Sequence, residues 1–441
     1  MIPTLSARPT TPYVAYTYAY PHKTAYRPLA APVPLADLWA GEARDALSLY
    51  IHLPFCEMRC GFCNLFTTAN PQADFVTAYL EALARQARQV RAALGPARVA
   101  RFALGGGTPT YLAAGELAQV FDLAADLYGV NPATVPTSVE TSPGTATPDR
   151  LALLRERGVD RVSIGVQSFL EVEARAAGRA QRTSEVHAAL AAIRRAQIPT
   201  LNIDLIYGLP GQTVATWRTS VQAALAYAPE EIYLYPLYTR PLTGLGRRGT
   251  PGAKDDMRLA CYRAGRDLLL AAGYRQVSMR MFRAGHAPES GGPAYCCQED
   301  GMIGLGCGAR SYTRALHYAA EYAVGAPGIR AILAAYVAQP AAAFAVAQYG
   351  CPLDGDEQRR RYLIQSLLQV EGLERAAYRR RFGTDAAADW PVLAEWAGWG
   401  WLDADATWVR LTPAGLEYAD WIGPALSSPA VRARMESYAW R

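Results

Sequence analysis

From Leu47 to about residue 272, short apolar runs alternate with Ala-rich, Arg-dotted stretches, and this alternation limits the chain to few architectures. The runs LSLYIHLPF (ending at Phe55), VARFALGGG (99–107), TSVETSP (137–143), RVSIGVQSF (161–169), PTLNIDLIYGLP (199–210) and EIYLYPLY (231–238) read as buried strands. Helical patterns at about 72–94, 114–128, 147–157, 183–196, 213–227 and 256–272 follow them. Strands alternating with helices imply an α/β fold with a parallel sheet and right-handed crossovers. Six such units are too few for a closed eight-stranded barrel, so the expected fold is a partial (β/α)6 parallel barrel. Polar and glycine positions gather after the strands: the cysteines after the first, Gly105 to Gly107 after the second, Glu140 on the third, Gln167 on the fourth and Asp204 on the fifth. Active sites of parallel barrels lie at that face.

The rest of the chain divides around this unit. Residues 1–45, rich in Pro, Tyr and Thr, read as an ordered arm or an irregular lead-in, and 46–285 as the partial barrel. Residues 286–350 read as an irregular, then helical, extension completing the site. Residues 351–441 read as a mainly helical, winged-helix-like C-terminal domain. Over the whole chain, 44 basic against 39 acidic residues leave a net charge of +5, too small to demand a polyanionic partner. Only Lys23 and Lys254 are lysines. No stretch approaches the length of a spanning helix and the start lacks a basic, then apolar, leader, so a cytoplasmic protein is expected.

Three of the eight cysteines crowd into Cys56-Glu-Met-Arg-Cys60-Gly-Phe-Cys63, in a loop directly after a buried strand. In a reducing compartment such a group suggests metal. Three thiolates around a [4Fe-4S] cluster leave one iron open for a small chelating cofactor. The spacing alone also allows a zinc loop with a distant fourth ligand, or three unconnected core thiols.

These residues carry a resemblance. The Cys-x-x-x-Cys-x-x-Cys loop followed by Gly-Gly-Gly-Thr-Pro is similar to that of radical S-adenosylmethionine enzymes. More narrowly, Tyr50-Ile-His-Leu-Pro-Phe-Cys56, Gly105-Gly-Gly-Thr-Pro-Thr-Tyr111, Ser138-Val-Glu140, Gly165-Val-Gln167-Ser-Phe169 and Asn202-Ile-Asp204-Leu-Ile-Tyr-Gly-Leu-Pro210 resemble the oxygen-independent coproporphyrinogen III oxidase-like branch. A weaker echo, Leu411-Thr-Pro-Ala-Gly415, lies in the C-terminal domain. The resemblance implies a [4Fe-4S] cluster on Cys56, Cys60 and Cys63, with S-adenosylmethionine chelating its open iron. Reductive cleavage would give a 5′-deoxyadenosyl radical that abstracts hydrogen from an organic substrate, a tetrapyrrole being one candidate. It further implies Tyr50, Phe62 (through its backbone), Gly106, Gly107, Thr108, Glu140, Gln167, Arg179 and Asp204 as cofactor contacts, with Arg179 near the methionine carboxylate. A small-molecule substrate and an electron donor such as flavodoxin or ferredoxin complete the expectation. Glycines permit close backbone approach, carboxylates accept from amino and hydroxyl groups, and a guanidinium fork suits a carboxylate.

The departures bear on substrate. Leu65 stands where the oxidase has a further cysteine, which argues against coproporphyrinogen decarboxylation. Gly292-Pro293 replace the His-Asn pair of haem-carrying relatives. Gly304-Leu-Gly-Cys-Gly-Ala-Arg-Ser311 matches the branch, but Arg310 replaces an apolar residue near the oxidase's second S-adenosylmethionine, so one or two bound cofactors stay open. Cys296, Cys297 and Cys307 read as structural thiols with a redox role as the alternative, Cys261 and Cys351 as packing, and His52 as a hydrogen-bonded core residue. Two rivals remain: a haem-trafficking protein, and an RNA-modifying enzyme using Arg359–Arg361 and Arg379–Arg381. Interleaved acids make those arginines read as a solvated face instead.

Overall fold

The computed structural model describes residues 8–250, 252–289 and 301–440. Cys296, Cys297 and Gly292-Pro293 lie outside them. Six strand–helix units form the centre: β2 (Leu47–Leu53) with α1 (Ala73–Leu94), β3 (Val99–Gly106) with α2 (Ala114–Tyr128), and β4 (Thr137–Thr141) with α3 (Pro148–Glu156). They continue as β5 (Arg161–Gln167) with α4 (Thr183–Arg195), β6 (Thr200–Tyr207) with α5 (Val214–Leu225), and β7 (Glu231–Pro236) with α6 (Asp255–Ala271). Neighbouring strands from β2 to β7 pair in parallel. Each is bounded by helices whose apolar stripes meet it. On α1, Val76, Tyr79, Leu83, Ala87, Val90 and Leu94 are buried at helical spacing.

The sheet extends beyond the six units on both sides. β8 (Tyr274–Gln276) and β9 (Met281–Ala284) add an antiparallel hairpin to β7. β10 (Met302–Leu305) pairs in parallel with β2, and β11 (Arg310–Tyr312), β12 (Leu316–Ala319) and β13 (Val346–Pro352) follow antiparallel. At the far edge, β1 (Arg27–Pro34) pairs with β13 across a bulge. The order is β1-β13-β12-β11-β10-β2-β3-β4-β5-β6-β7-β9-β8.

One expectation is corrected. The segment after residue 300 is not irregular: short strands carry it, and α7 (Ala326–Ala338) returns it to the sheet. Gly304 lets β10 lie close against the start of β11, since a Cβ there would lie 2.6 Å from the Arg310 carbonyl carbon. The arm is ordered over its described residues, the first of its two readings. It contains β1 and a helix over Leu35–Ala40, and Tyr13 joins the main core while Tyr20, Ala25 and Tyr26 join the C-terminal one.

That second core gathers α8 (Gly355–Leu367), β14 (Leu373–Glu374), α9 (Arg375–Phe382), α10 (Val392–Gly398), β15 (Leu402–Ala404), β16 (Trp408–Leu411), α11 (Ala419–Ala425) and α12 (Pro429–Glu436) around Trp390, Trp396 and Trp401. Its three strands pair antiparallel in the order β14-β16-β15. The arginine runs depart from expectation: Arg360 and Arg361 are buried, and Arg360 pairs with Asp356 and donates to the Leu426 carbonyl. Arg375 and Arg379 both pair with Asp385, so they form no free basic stripe.

Candidate cofactor site at the strand ends

Backbone hydrogen bonds of the chain itself hold the cysteine loop. Phe55-Cys56 pairs as a two-residue strand with Thr68-Ala69. The Cys63 amide donates to the Cys60 carbonyl at 3.1 Å, and the Asn70 amide to the Cys56 carbonyl at 2.9 Å. At the apex, Gly61 donates to the Gly178 carbonyl at 3.2 Å and accepts from the Leu245 amide at 2.6 Å. A Cβ on Gly61 would fall 2.6 Å from the Ala177 oxygen, so only glycine lets these three backbone segments meet.

All three thiols face hydrogen-bonding side chains. Arg179 Nη1 lies 3.1 Å from Cys60 Sγ, Thr108 Oγ1 lies 3.7 Å from Cys56 Sγ, and Thr67 Oγ1 lies 3.9 Å from Cys63 Sγ. Burial, with Cys63 beside it, pushes the Cys56 thiol up to about 12, and burial raises Cys63 too. A coordinating metal would overcome that by deprotonating them outright. Among the described residues, no three His, Cys, Asp or Glu side chains converge as a single ion needs. Three thiols spread around one loop suit a multi-iron cluster better than one zinc.

The next strand closes over this loop. The Gly107 amide donates to the Leu53 carbonyl at 2.8 Å and the Thr108 amide to the Phe55 carbonyl at 2.7 Å. Gly106 has φ of 112°, and a Cβ there would meet the His52 ring at 2.5 Å. Burial lowers His52 to about 4, so its ring is neutral at physiological pH. Its Nε2 faces the Phe66 carbonyl at 2.9 Å and must donate, leaving Nδ1 to accept from Tyr50 O–H at 3.2 Å. His52 is therefore a core residue that aims Tyr50.

Glu140 accepts from the Gly106 amide at 3.1 Å. It is reached by water yet surrounded by protein; this enclosure, with Asp204 adding, pushes it up to about 7. Asp204 accepts from Asn202 Nδ2 at 2.8 Å and Ser163 Oγ at 3.2 Å, while burial raises it. Gln167 sits at a bulge with φ of 70°, and its buried Oε1 has no hydrogen-bond partner. Arg179 anchors that bulge, Nη2 donating to the Gly165 carbonyl at 2.7 Å and Nε to Gln181 at 2.5 Å. Phe62 packs half-buried against Ala177, Ile206 and Leu237.

The structure thus brings Thr108 and Arg179 onto the cysteines, and Gly106 onto Glu140. Ser163, Asn202, Gln181 and Gly61 escaped the sequence reading as positioning groups. The first two were traceable: Asn202 and Asp204 share one strand face, and Ser163 sits opposite Asn202. Gln181 and Gly61 act across contacts distant in sequence.

A parallel sheet with a three-cysteine loop and a glycine-rich turn at its strand ends defines an iron–sulfur, S-adenosylmethionine-dependent class. The model of the radical SAM superfamily matches residues 50–224. The oxygen-independent coproporphyrinogen III oxidase of Paracoccus denitrificans (strain Pd 1222) is 28% identical over 436 residues, 94% of this chain and 91% of that protein. The heme chaperone HemW of Escherichia coli (strain K12) is 30% identical over 60% of this chain and 69% of its own length. The solved coproporphyrinogen III oxidase of Escherichia coli shares the fold, with a TM-score of 0.79 at 23% identity over 94% of this chain and 97% of that one. The chain belongs to the radical SAM superfamily, in the branch of the oxygen-independent coproporphyrinogen III oxidases and their relatives. The cofactors of that superfamily are a [4Fe-4S] cluster and S-adenosylmethionine.

Proposed function

We propose that Cys56, Cys60 and Cys63 hold the cluster, that the strand-end residues hold S-adenosylmethionine beside it, and that the substrate is an organic molecule other than coproporphyrinogen III. The observation carrying this reading is Arg179, which reaches Cys60 and the Gly165 carbonyl together and so ties the cysteine loop to the bulge bearing Gln167. When bound, the reduced cluster and S-adenosylmethionine supply a carbon radical that takes a hydrogen atom from the substrate.

The chain's own residues bind and orient. Gly106 and Gly107 admit backbone close to the cofactor, and Thr108 and Tyr50 offer hydroxyls. Glu140 and Asp204 accept from amino or ribose hydroxyl groups, Gln167 offers its unpartnered oxygen, and Phe62 contributes backbone. Arg179 meets the methionine carboxylate. With its pKa near 7, Glu140 can hold or release a proton at its carboxyl. An electron donor of the flavodoxin or ferredoxin type supplies the electron.

The substrate part rests on Leu65, which is 47% exposed where the oxidase motif continues with cysteine. Core cofactor chemistry persists while substrate-facing segments diverge. The test adds coproporphyrinogen III anaerobically to reduced, reconstituted protein. The expected result is no didecarboxylated product; repeated turnover overturns this part of the reading.

The likeness to HemW favours one second reading, haem trafficking without turnover. Stoichiometric haem binding in a sample that makes no 5′-deoxyadenosine would establish it instead. The paired arginines of the C-terminal domain give no support to nucleic-acid binding.

A further inference from the structure

Buried beside Arg179 is an amide with each of its polar atoms engaged. Gln181, 6% exposed, accepts from Arg179 Nε at 2.5 Å. Its Nε2 donates to the Val166 carbonyl at 2.7 Å and to the Ser168 carbonyl at 3.1 Å, on either side of Gln167. Two carbonyls can be met only by the NH2 end of the amide, so the oxygen must face the guanidinium. Turning the amide over would leave buried acceptors without a donor and set its NH2 against the Nε–H group. Ser168 is itself held: its Oγ donates to Glu173 Oε2 at 2.7 Å, and Gln212 Nε2 donates to the same oxygen at 2.9 Å, all three side chains being buried. The anchor of Gln181 therefore stands on contacts that do not involve the arginine.

The consequence for Arg179 follows from its donor count. A guanidinium carries five N–H groups in one plane. Here Nε serves Gln181, Nη1 serves Cys60 Sγ and Nη2 serves the Gly165 carbonyl, which leaves one N–H on each terminal nitrogen. Rotation about the Cδ–Nε bond would swing the plane and carry the Nε–H group off the Gln181 oxygen. A long side chain that otherwise samples many rotamers is thus held in one orientation, and less freedom is lost when a ligand binds it.

We propose that Gln181 is a positioning residue for S-adenosylmethionine: by holding Nε it fixes the guanidinium plane and keeps the two remaining N–H groups of Arg179 in place for the methionine carboxylate. Gln181 acts through Arg179 and needs no contact of its own with the ligand. The inference deepens the reading above and rests on it for the identity of that ligand.

The test measures, by equilibrium dialysis on the full-length, cluster-loaded protein, the affinity for S-adenosylmethionine and for its decarboxylated form, which lacks only the carboxylate. Gln181→Met keeps the side-chain length and removes both polar groups. It weakens S-adenosylmethionine about five- to tenfold and the decarboxylated form less than about twofold. In an Arg179→Ala background the same substitution shifts neither affinity by more than about twofold, as expected of two residues acting as one unit. A merely structural glutamine would weaken both ligands alike or keep its effect without Arg179, and either result overturns the proposal. Gln181→Glu is the second variant, for the case that Gln181→Met loads no iron. It keeps an acceptor on Nε but sets a carboxylate against the one the ligand brings, so its loss again falls on S-adenosylmethionine; equal loss for both ligands overturns the proposal here too. Arg179→Ala alone separates the two readings. If it weakens both ligands equally, Arg179 does not meet the carboxylate, and the reading of the site falls together with the role of Gln181. A selective loss in Arg179→Ala beside an unselective one in Gln181→Met defeats the positioning role and leaves the site reading standing.

Discussion

At the scale of single residues, the site works by holding side chains in states they would not choose in water. Glu140 shows it most directly: its enclosure raises the carboxyl from 4.5 to about 7. A raised carboxyl favours the folded state fully below the unfolded pKa, and that contribution is lost as pH rises through the folded one. The apoprotein should therefore lose stability between about pH 4.5 and 7, and Glu140→Gln should flatten that part of the curve. Thermal melts of both proteins across pH check this, with parallel curves as the contrary result. Arg179 allows a second measurement. Arg179→Ala should weaken S-adenosylmethionine binding by about 1.5–3 kcal/mol, roughly ten- to 150-fold, with Arg179→Lys recovering only part. Equilibrium binding to the reconstituted protein reads it, and unchanged affinity would mean Arg179 serves only Cys60 and the bulge.

Among the elements, legibility in the sequence followed length and periodicity. α2 begins and ends where its apolar spacing and Gly129 place it, and the six central strands match to within about three residues. The missed strands fail that test for physical reasons. β1 holds three prolines, which a ladder tolerates because β1 lies at the sheet edge. β10, β11 and β12 have only three or four residues each, too few for alternation to register. In the site, chemistry-bearing types after strands were legible, whereas backbone contacts such as Gly61 against Ala177 were not, since they join segments over 100 residues apart. Gly61→Ala should accordingly displace the loop and cut iron incorporation sharply. Gly115→Ala, with open space around its Cβ, should stabilise α2 by about 0.5–1 kcal/mol. Iron assays and denaturant melts on the pair separate a local clash from a general intolerance of alanine.

Over the whole molecule, one buried ion pair ties the C-terminal domain to both the barrel and the arm. Arg280 pairs with Asp420 on α11, Tyr16 of the arm lies 3.7 Å from the guanidinium, and Tyr238 after β7 donates to the same carboxylate at 2.7 Å. The Ala15 amide donates to the Asp420 carbonyl at 3.1 Å, fixing the arm over the strand ends. Arg280→Ala strands a carboxylate that is 1% exposed and should cost about 3–5 kcal/mol in denaturant unfolding. It should also free the arm, read as faster proteolysis near Tyr16. The arm, the sheet and the C-terminal domain thereby meet at one buried carboxylate.

The central claim is that the three cysteines of one loop make this chain an S-adenosylmethionine-cleaving enzyme. The direct measurement is anaerobic reconstitution and reduction of the wild type and of a Cys56→Ala/Cys60→Ala/Cys63→Ala variant, followed by assay of iron and of 5′-deoxyadenosine formed from S-adenosylmethionine. The account predicts about four irons per chain and slow deoxyadenosine formation in the wild type, and neither in the variant. A triple variant that keeps its iron, or a fully loaded wild type that leaves S-adenosylmethionine intact, would contradict it.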